Sequence, residues 1–328
     1  MPPSPHRPSA LAWQVFRGSD AIRRGLVTEH QLRSSAWTRL RHDVYADARL
    51  DRDHALACRA ATLRLPPEAV AAGPSAAYLH GVAHAAAFTD DVHVLLPRTI
   101  RVSPQRGLRA HSVGPATPPP SAPAPGADLP RDRPHASARP TDDATTAPLR
   151  TAGPPPRTAP AAAAWETAVW LEPLRAVGIV DALLRQGLTS RDELAETADR
   201  NADRPGGRRA RWVFGLADPG AGSPDESQLR VRLVLAGLPR PVTRHPVDLA
   251  PGLVLRPDLA WPRYRVAVRY AGRRHVDAGH PQLDHPQLDQ LAAAGWLVLS
   301  ATSRRLRQEF PALLVEVRAA LAARGWRN

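Results

Sequence analysis

Lysine is missing from this chain: all 44 of its basic side chains are arginine, set against 31 acidic ones, for a formal charge of +13. Cysteine is nearly missing too. Cys58 is the single thiol, which excludes a disulfide within the chain and any zinc site built from several thiolates. Its setting, HALACRAATLRL, gives it the role of a small buried apolar residue. Aromatic residues make up only 5% of the chain. No apolar run approaches the roughly 18–20 residues that span a bilayer. The opening MPPSPHRPSA holds no signal-peptide core, so a cytoplasmic location without membrane attachment is the expectation.

Proline, by contrast, is abundant, and 14 of the 36 prolines fall within residues 114–160. Such a segment cannot bury enough apolar area to offset its ordering entropy. It is expected to be a disordered insertion within one domain, tolerable because loop length costs only logarithmically. Residues 1–10 carry the same expectation. The arginine excess has two readings. Guanidinium groups bind phosphate in a bidentate fork, which suits a polyanion partner; an Arg-only, Ala- and Pro-rich composition also follows from GC-rich coding.

The best-organised stretch is 253–302. LVLRPDLAW (253–261) and RVAVRYAG (265–272) are short, rich in Val, Leu and aromatics, and separated by Pro262-Arg263-Tyr264, which predicts a β-hairpin. Before it, 225–236 sets Leu229, Leu233 and Ala236 at helical spacing between Pro224 and Gly237. After it, 288–294 reads as a helix and WLVLSAT (296–302) as a buried strand.

Toward the N-terminus, 12–24 reads as largely helical, with Ser19-Asp20 as a possible break. A helix over 29–35 follows with Thr28 as its N-cap, and 36–47 forms a hairpin turning at His42-Asp43. An amphipathic helix is expected at 52–65. Another, within 73–82, would be capped by Ser75, run through Leu79 and be ended by Gly81, and strands follow at 92–97 and 107–113. Leu171, Leu174, Val177, Ile179, Val180, Leu183 and Leu184 give one buried helical face, ended by Gly187, with Thr189 capping the next helix. Arg208, Arg209 and Arg211 then form a basic cluster, either a phosphate contact or a solvated helix face.

Two resemblances rest on these residues. The text of 12–47, with SAA-x-LHG at 75–81, resembles the N-terminal region of AbiEi-type antitoxin-like proteins, although Asp43 stands where that family usually has Gly. The resemblance implies a winged helix that presents Gln31 and Arg33 from its second helix, and Arg39 and Arg41 from its wing, to DNA. The anchors Glu226, Arg230, Ala236-Gly237-Leu238-Pro239, Pro257-Asp258, Gly272, His275 and Gly295-Trp296 resemble the Vsr-related endonuclease-like domains of the PD-(D/E)XK superfamily. In such domains acidic residues hold Mg²⁺, which polarises a phosphodiester and helps form the attacking hydroxide. By resemblance, Glu226, Asp258 and His275 would be the remnant catalytic set, with Asp258 as metal ligand. The family text V-E-Y-D-G is replaced by Val268-Arg269-Tyr270-Ala271-Gly272, so both acids of that strand are gone. An arginine there repels a divalent ion: at about 4 Å and an effective dielectric near 20 each unit pair is worth roughly 4 kcal/mol. Arg269 would instead bind a backbone phosphate.

The expected architecture is therefore α/β (α+β). Residues 1–10 are disordered, 11–50 form a winged helix, and 51–216 form a small central α/β domain interrupted by 114–160. Residues 217–328 form a restriction-endonuclease-like mixed sheet flanked by helices. Ser75 and His80 have the residue types of a nucleophile and base, but no strand–elbow–helix pattern surrounds Ser75. HVDAGHPQLDHPQLD (275–289) offers His275, His280, His285, Asp277, Asp284 and Asp289 as ligand types, yet Pro281 and Pro286 break any helical register that would gather them. Three functions stay open: a DNA-binding, defence-associated protein with a degenerate nuclease domain, an active endonuclease requiring Mg²⁺, or an interaction scaffold. DNA is the expected partner, alongside a cognate toxin or other protein. No cofactor is expected unless the nuclease site is active.

Overall fold

Residues 6–113, 154–250, 253–272 and 285–327 are described by the computed structural model, which is of mixed α/β class. Contacts group the chain into two compact units, Met1–Ala71 with Ala87–Arg157, and Ala72–Ala86 with Thr158–Asn328. The boundaries expected at 50 and 216 fall inside these units.

In the first unit, strands β1 (Val15–Arg17), β2 (Trp37–Arg41) and β3 (Val44–Asp47) form an antiparallel sheet in the order β1-β3-β2, beside helix α1 (Gly18–Arg23). Alternation assigns its two faces. Phe16 and Tyr45 join Leu11, Ala21, Leu32 and Trp37 on one side; Val15, Val44 and Ala46 meet Leu56 and Ala60 of helix α2 (His54–Thr62) on the other. The sheet β4 (Val70–Ala71), β5 (Val92–Pro97), β6 (Leu108–Val113) completes the unit, with β5 and β6 parallel.

Four sequence expectations change here. The helix over 12–24 begins only at Gly18, because Val15 and Phe16 are claimed by strand pairing to β3. The helix over 29–35 is a single 3-10 turn, Gln31–Arg33. Thr28 and Gln31 do cap each other, the Thr28 amide donating to Gln31 Oε1 at 2.8 Å and the Gln31 amide to Thr28 Oγ1 at 3.2 Å. With only Leu32 buried, however, the turn has no apolar face to extend it. Residues 6–10 are ordered, since Arg7 pairs with buried Asp47 at 3.4 Å and a 3-10 turn, Ser9–Leu11, buries Leu11. Residues 154–160 are ordered as well: the Ala71 amide donates to Pro156 O at 2.8 Å. The rest of the proline-rich segment, 114–153, lies outside the described residues.

The second unit has a helical layer and a sheet layer. Helices α3 (Gly73–Leu79), α4 (Pro160–Trp170), α5 (Pro173–Arg185), α6 (Arg191–Arg200) and α7 (Gly207–Leu216) surround a core of small and branched residues such as Ala77, Ala168, Val177, Ile179, Val180, Leu183, Leu194 and Val213. Leu171 falls outside the expected single helix because Glu172-Pro173 starts a new one, the Glu172 carboxylate accepting from the amides of Leu174 and Arg175. Two expected caps move by a few residues. Ser75 lies buried inside α3, whose N-cap is Ala72, and Ser190 rather than Thr189 caps α6 in a reciprocal box with Glu193. Gly73 opens α3 at φ +52°, where a Cβ would meet Trp170 at 2.7 Å, and its amide donates to buried Glu166 at 2.6 Å.

Helix α8 (Pro224–Leu235) belongs to both layers. Val231 joins the helical core, while Leu229 and Leu233 pack on the sheet. That sheet contains β7 (Val242–Thr243), β10 (Leu259–Trp261), β11 (Val266–Ala271) and β12 (Leu297–Thr302) in the order β12-β11-β10-β7. Strands β11 and β12 are parallel and the other pairs antiparallel. The hairpin predicted from 253–261 holds for its second half only. Leu253–Leu255 is β9, paired instead with β8 (Val247–Ala250) in a separate ribbon. Alternation again sorts the faces. Leu259, Trp261, Val266, Val268 and Tyr270 meet α8 and α11 (Phe310–Ala323). Ala260 and Ala267 meet the ribbon and α9 (His285–Ala293) through Leu291. The short helix α10 (Ser303–Gln308) follows β12 directly.

Candidate nucleic-acid interface

Three neighbouring strands bring the chemistry together. The register pairs Leu259 with Val268 and with Thr243, so one step further Asp258 lies between Arg269 on β11 and Arg244 beyond β7. The Arg244 amide donates to Asp258 O at 3.3 Å, and Arg269 sits opposite Ser300 on β12. Arg244, Asp258, Arg269 and Ser300 thus form one row across the sheet.

Asp258 is buried, and its Oδ2 accepts from the Tyr270 amide at 2.7 Å. The Arg244 guanidinium bridges two carboxylates, 3.4 Å from Asp258 Oδ1 and 3.6 Å from Glu226 Oε2. Arg244 holds φ +51°, a left-handed conformation uncommon for a residue with a side chain. Glu226, in the first turn of α8, accepts from the Gly222 amide at 2.8 Å and from the Ser223 hydroxyl at 3.2 Å. A Cβ at Gly222 would stand 2.8 Å from the Arg244 guanidinium and 3.3 Å from the Glu226 carboxylate, so a side chain there would displace their ends. Burial first, and then the neighbouring Glu226 charge, push Asp258 up to about 6, against the pull of the Tyr270 amide, Arg244 and Arg269.

The set does not fit a divalent cation. Its two carboxylates already hold backbone amides and a guanidinium, and the described residues contain no group of three or more His, Cys, Asp or Glu able to hold a metal ion. Ala271 pairs with Thr302 and offers no ligand atom. His275, His280 and Asp284 lie outside the described residues, and Asp289 is exposed on α9. The Nε atoms of Arg244 and Arg269 are buried without a hydrogen-bond partner among the described residues.

Three of the remnant residues expected from sequence, Glu226, Asp258 and Arg269, are therefore brought together. Arg244 escaped the sequence reading because a two-residue strand leaves no periodic signal. So did the support behind the row: the Tyr270 hydroxyl donates to Asp225 at 2.5 Å and lies 2.8 Å from the Ser303 hydroxyl. In the basic cluster of α7, Arg211 pairs with Asp199 at 2.9 Å and Arg209 donates to the carbonyls of Ala168 and Leu171, which leaves Arg208 exposed.

In the first unit, Arg33 and Arg39 are exposed. Gln31 is half-buried and engaged with Thr28. Arg41 donates to the carbonyls of Arg106 at 3.2 Å and Gly107 at 2.7 Å, so it secures a loop as well as carrying charge. Asp43 takes the left-handed turn position at φ +59° where the resembled family has Gly. Its carboxylate accepts from the Ser19 amide and hydroxyl at 2.7 Å each and from Arg17 at 3.0 Å, which offsets the strain of that backbone conformation.

Two curated proteins of Mycobacterium tuberculosis, the uncharacterized proteins MT2308 and Rv2248, are each 31% identical to this chain over 153 residues. That alignment covers 46% of this chain and 56% of each relative, so the chain spans about half the length of the curated relatives it matches. No family model and no solved structure matches. No helix among the described residues is long and apolar enough to cross a membrane.

Proposed function

We propose that this chain binds DNA without cleaving it, through a nuclease-like sheet whose metal-binding carboxylates have been neutralised by arginine. The observation that carries the reading is the row in which Asp258 lies between Arg244 and Arg269, with Arg244 reaching on to Glu226. A guanidinium supplies the positive charge a metal would, and it offers several donors to a phosphate oxygen, but it does not lower the pKa of a bound water as a metal ion does. The resemblance to AbiEi-type and Vsr-related proteins points the same way, toward a defence-associated role with DNA, and a cognate toxin, as partners.

The test is a pair of assays on the full chain. Duplex binding should weaken steeply with salt, log affinity against log salt having a slope of about −4 to −5 if about five phosphates are contacted. Supercoiled plasmid should stay intact in Mg²⁺ or Mn²⁺. Nicking by the wild type that an Asp258→Ala variant loses would make the protein an endonuclease instead. Undetectable duplex binding at about 50 mM salt would leave a scaffold.

A further inference from the structure

The first unit contains a cleft of about 670 Å³, apart from the Arg244–Asp258–Arg269 row. Its walls come from the end of β2 and the turn after it (Arg41, His42), from α2 and its end (Ala60, Arg64), and from the loop before β6 (Arg106), with Phe88 supplying apolar surface. The volume lies within the usual range of small-molecule sites, about 300–1,000 Å³.

Charge in the cleft is one-sided. Arg41, Arg64 and Arg106 line it against one carboxylate, Asp90, whose Oδ2 accepts from the Ala87 amide at 3.1 Å. The two inner arginines are positioned by backbone carbonyls rather than neutralised by acids. Arg41 holds the carbonyls of Arg106 and Gly107, and Arg64 donates from Nη1 to His42 O at 2.9 Å. Among the described residues no carboxylate pairs with either, so Nε of Arg41 and Nε and Nη2 of Arg64 remain as donors. Burial first, and then the Arg64 charge, lower the pKa of Arg41, against the opposing pull of Cys58 and Asp91. Gly107, at φ +72°, turns the loop so that its carbonyl meets the Arg41 guanidinium. Arg41, held by two carbonyls, is fixed in place before any ligand arrives, which lowers the entropy lost on binding.

We propose that this cleft binds the phosphate groups of a nucleoside phosphate, with Arg64 and Arg106 as the main contacts and Arg41 holding the Arg106–Gly107 backbone beside them. Phosphate matches the planar fork of arginine in a way that a carboxylate-poor, lysine-free site favours. The apolar wall around Phe88 and Leu40 accommodates the nucleoside.

The experiment is calorimetric titration of the full chain with ATP, AMP and inorganic pyrophosphate at about 50 mM salt. Affinity should fall from ATP to AMP as phosphates are removed. The double variant Arg64→Gln/Arg106→Gln should lose about tenfold or more in ATP affinity while keeping its melting temperature, since both side chains are exposed. An Arg109→Gln variant, altered outside the cleft, should bind ATP like the wild type. Duplex DNA is added as competitor: displacement of ATP assigns the phosphate to a nucleic-acid strand, and retention of ATP assigns it to a free nucleotide. Absence of ATP and pyrophosphate binding up to millimolar concentration overturns the proposal, as does equal ATP affinity in the double variant. Duplex binding by the double variant is read in parallel, so failure of the cleft leaves the DNA-binding reading standing on its own assays.

Discussion

Arg244 does at residue scale what a bound ion does in a metal site: it keeps two buried carboxylates apart and neutralises them. Replacing it by glutamine should leave Glu226 and Asp258 uncompensated and cost roughly 1–3 kcal/mol near pH 7.5, a moderate figure because the side chain keeps some exposure. The pH dependence carries the diagnosis. Asp258 titrates at about 6 in the fold against an unfolded value near 4, so the native state holds the extra proton. Its contribution to stability is present at low pH and is lost as pH rises through 6. Without Arg244 its pKa should climb further. Thermal melts should therefore show this defect at pH 7.5 and a smaller one at pH 5, and Mn²⁺ should restore part of the loss in the variant but not in the wild type. An equal defect at both pH values would mean that Arg244 only fills space. Arg269 and Ala271 stand out in the sequence only by resemblance, as departures from the strand text V-E-Y-D-G. The counter-charge does not stand out there, since Arg244 approaches Asp258 only through pairing across the sheet.

Elements were legible where one face of a long segment is apolar, as in α5 and α8, and where a short apolar run forms a strand, as in β12, although that strand is half-buried rather than buried. They were misread where partners decide. The sequence around Val15 and Phe16 has helical spacing, yet pairing with β3 makes it a strand. Likewise Leu253–Leu255 leaves the expected hairpin for a ribbon with β8. Helix α8 was read correctly for its sheet-facing leucines, but nothing in it announced Arg230 as a core residue. Arg230 is 1% exposed and pairs at 2.7 Å with Asp181 of α5, which also accepts from the Asp218 amide at 2.6 Å. Asp181→Asn would strand that guanidinium and should destabilise by about 3–5 kcal/mol, while Asp181→Leu with Arg230→Met should recover most of the loss. Denaturant melts of the two variants measure this; equal instability of both would assign the effect to packing around α5 rather than to charge.

At the scale of the second unit, α8 contributes to the core of the helices and to the core of the sheet, and a buried ion pair fixes it to α5. A helix shared in this way is a thermodynamic hinge pin. If α8 detaches, Val231 leaves one core and Leu229 and Leu233 leave the other, so neither layer keeps a complete interior. Partial unfolding that sheds only the helices, or only the sheet, is thereby penalised, and the sequence from α4 to α11 should open as one cooperative block. Native-state hydrogen exchange reads this directly: the most protected amides of α5 and of β11 should report the same opening free energy and the same denaturant slope. Two separate values would show that the layers unfold independently despite the helix they share.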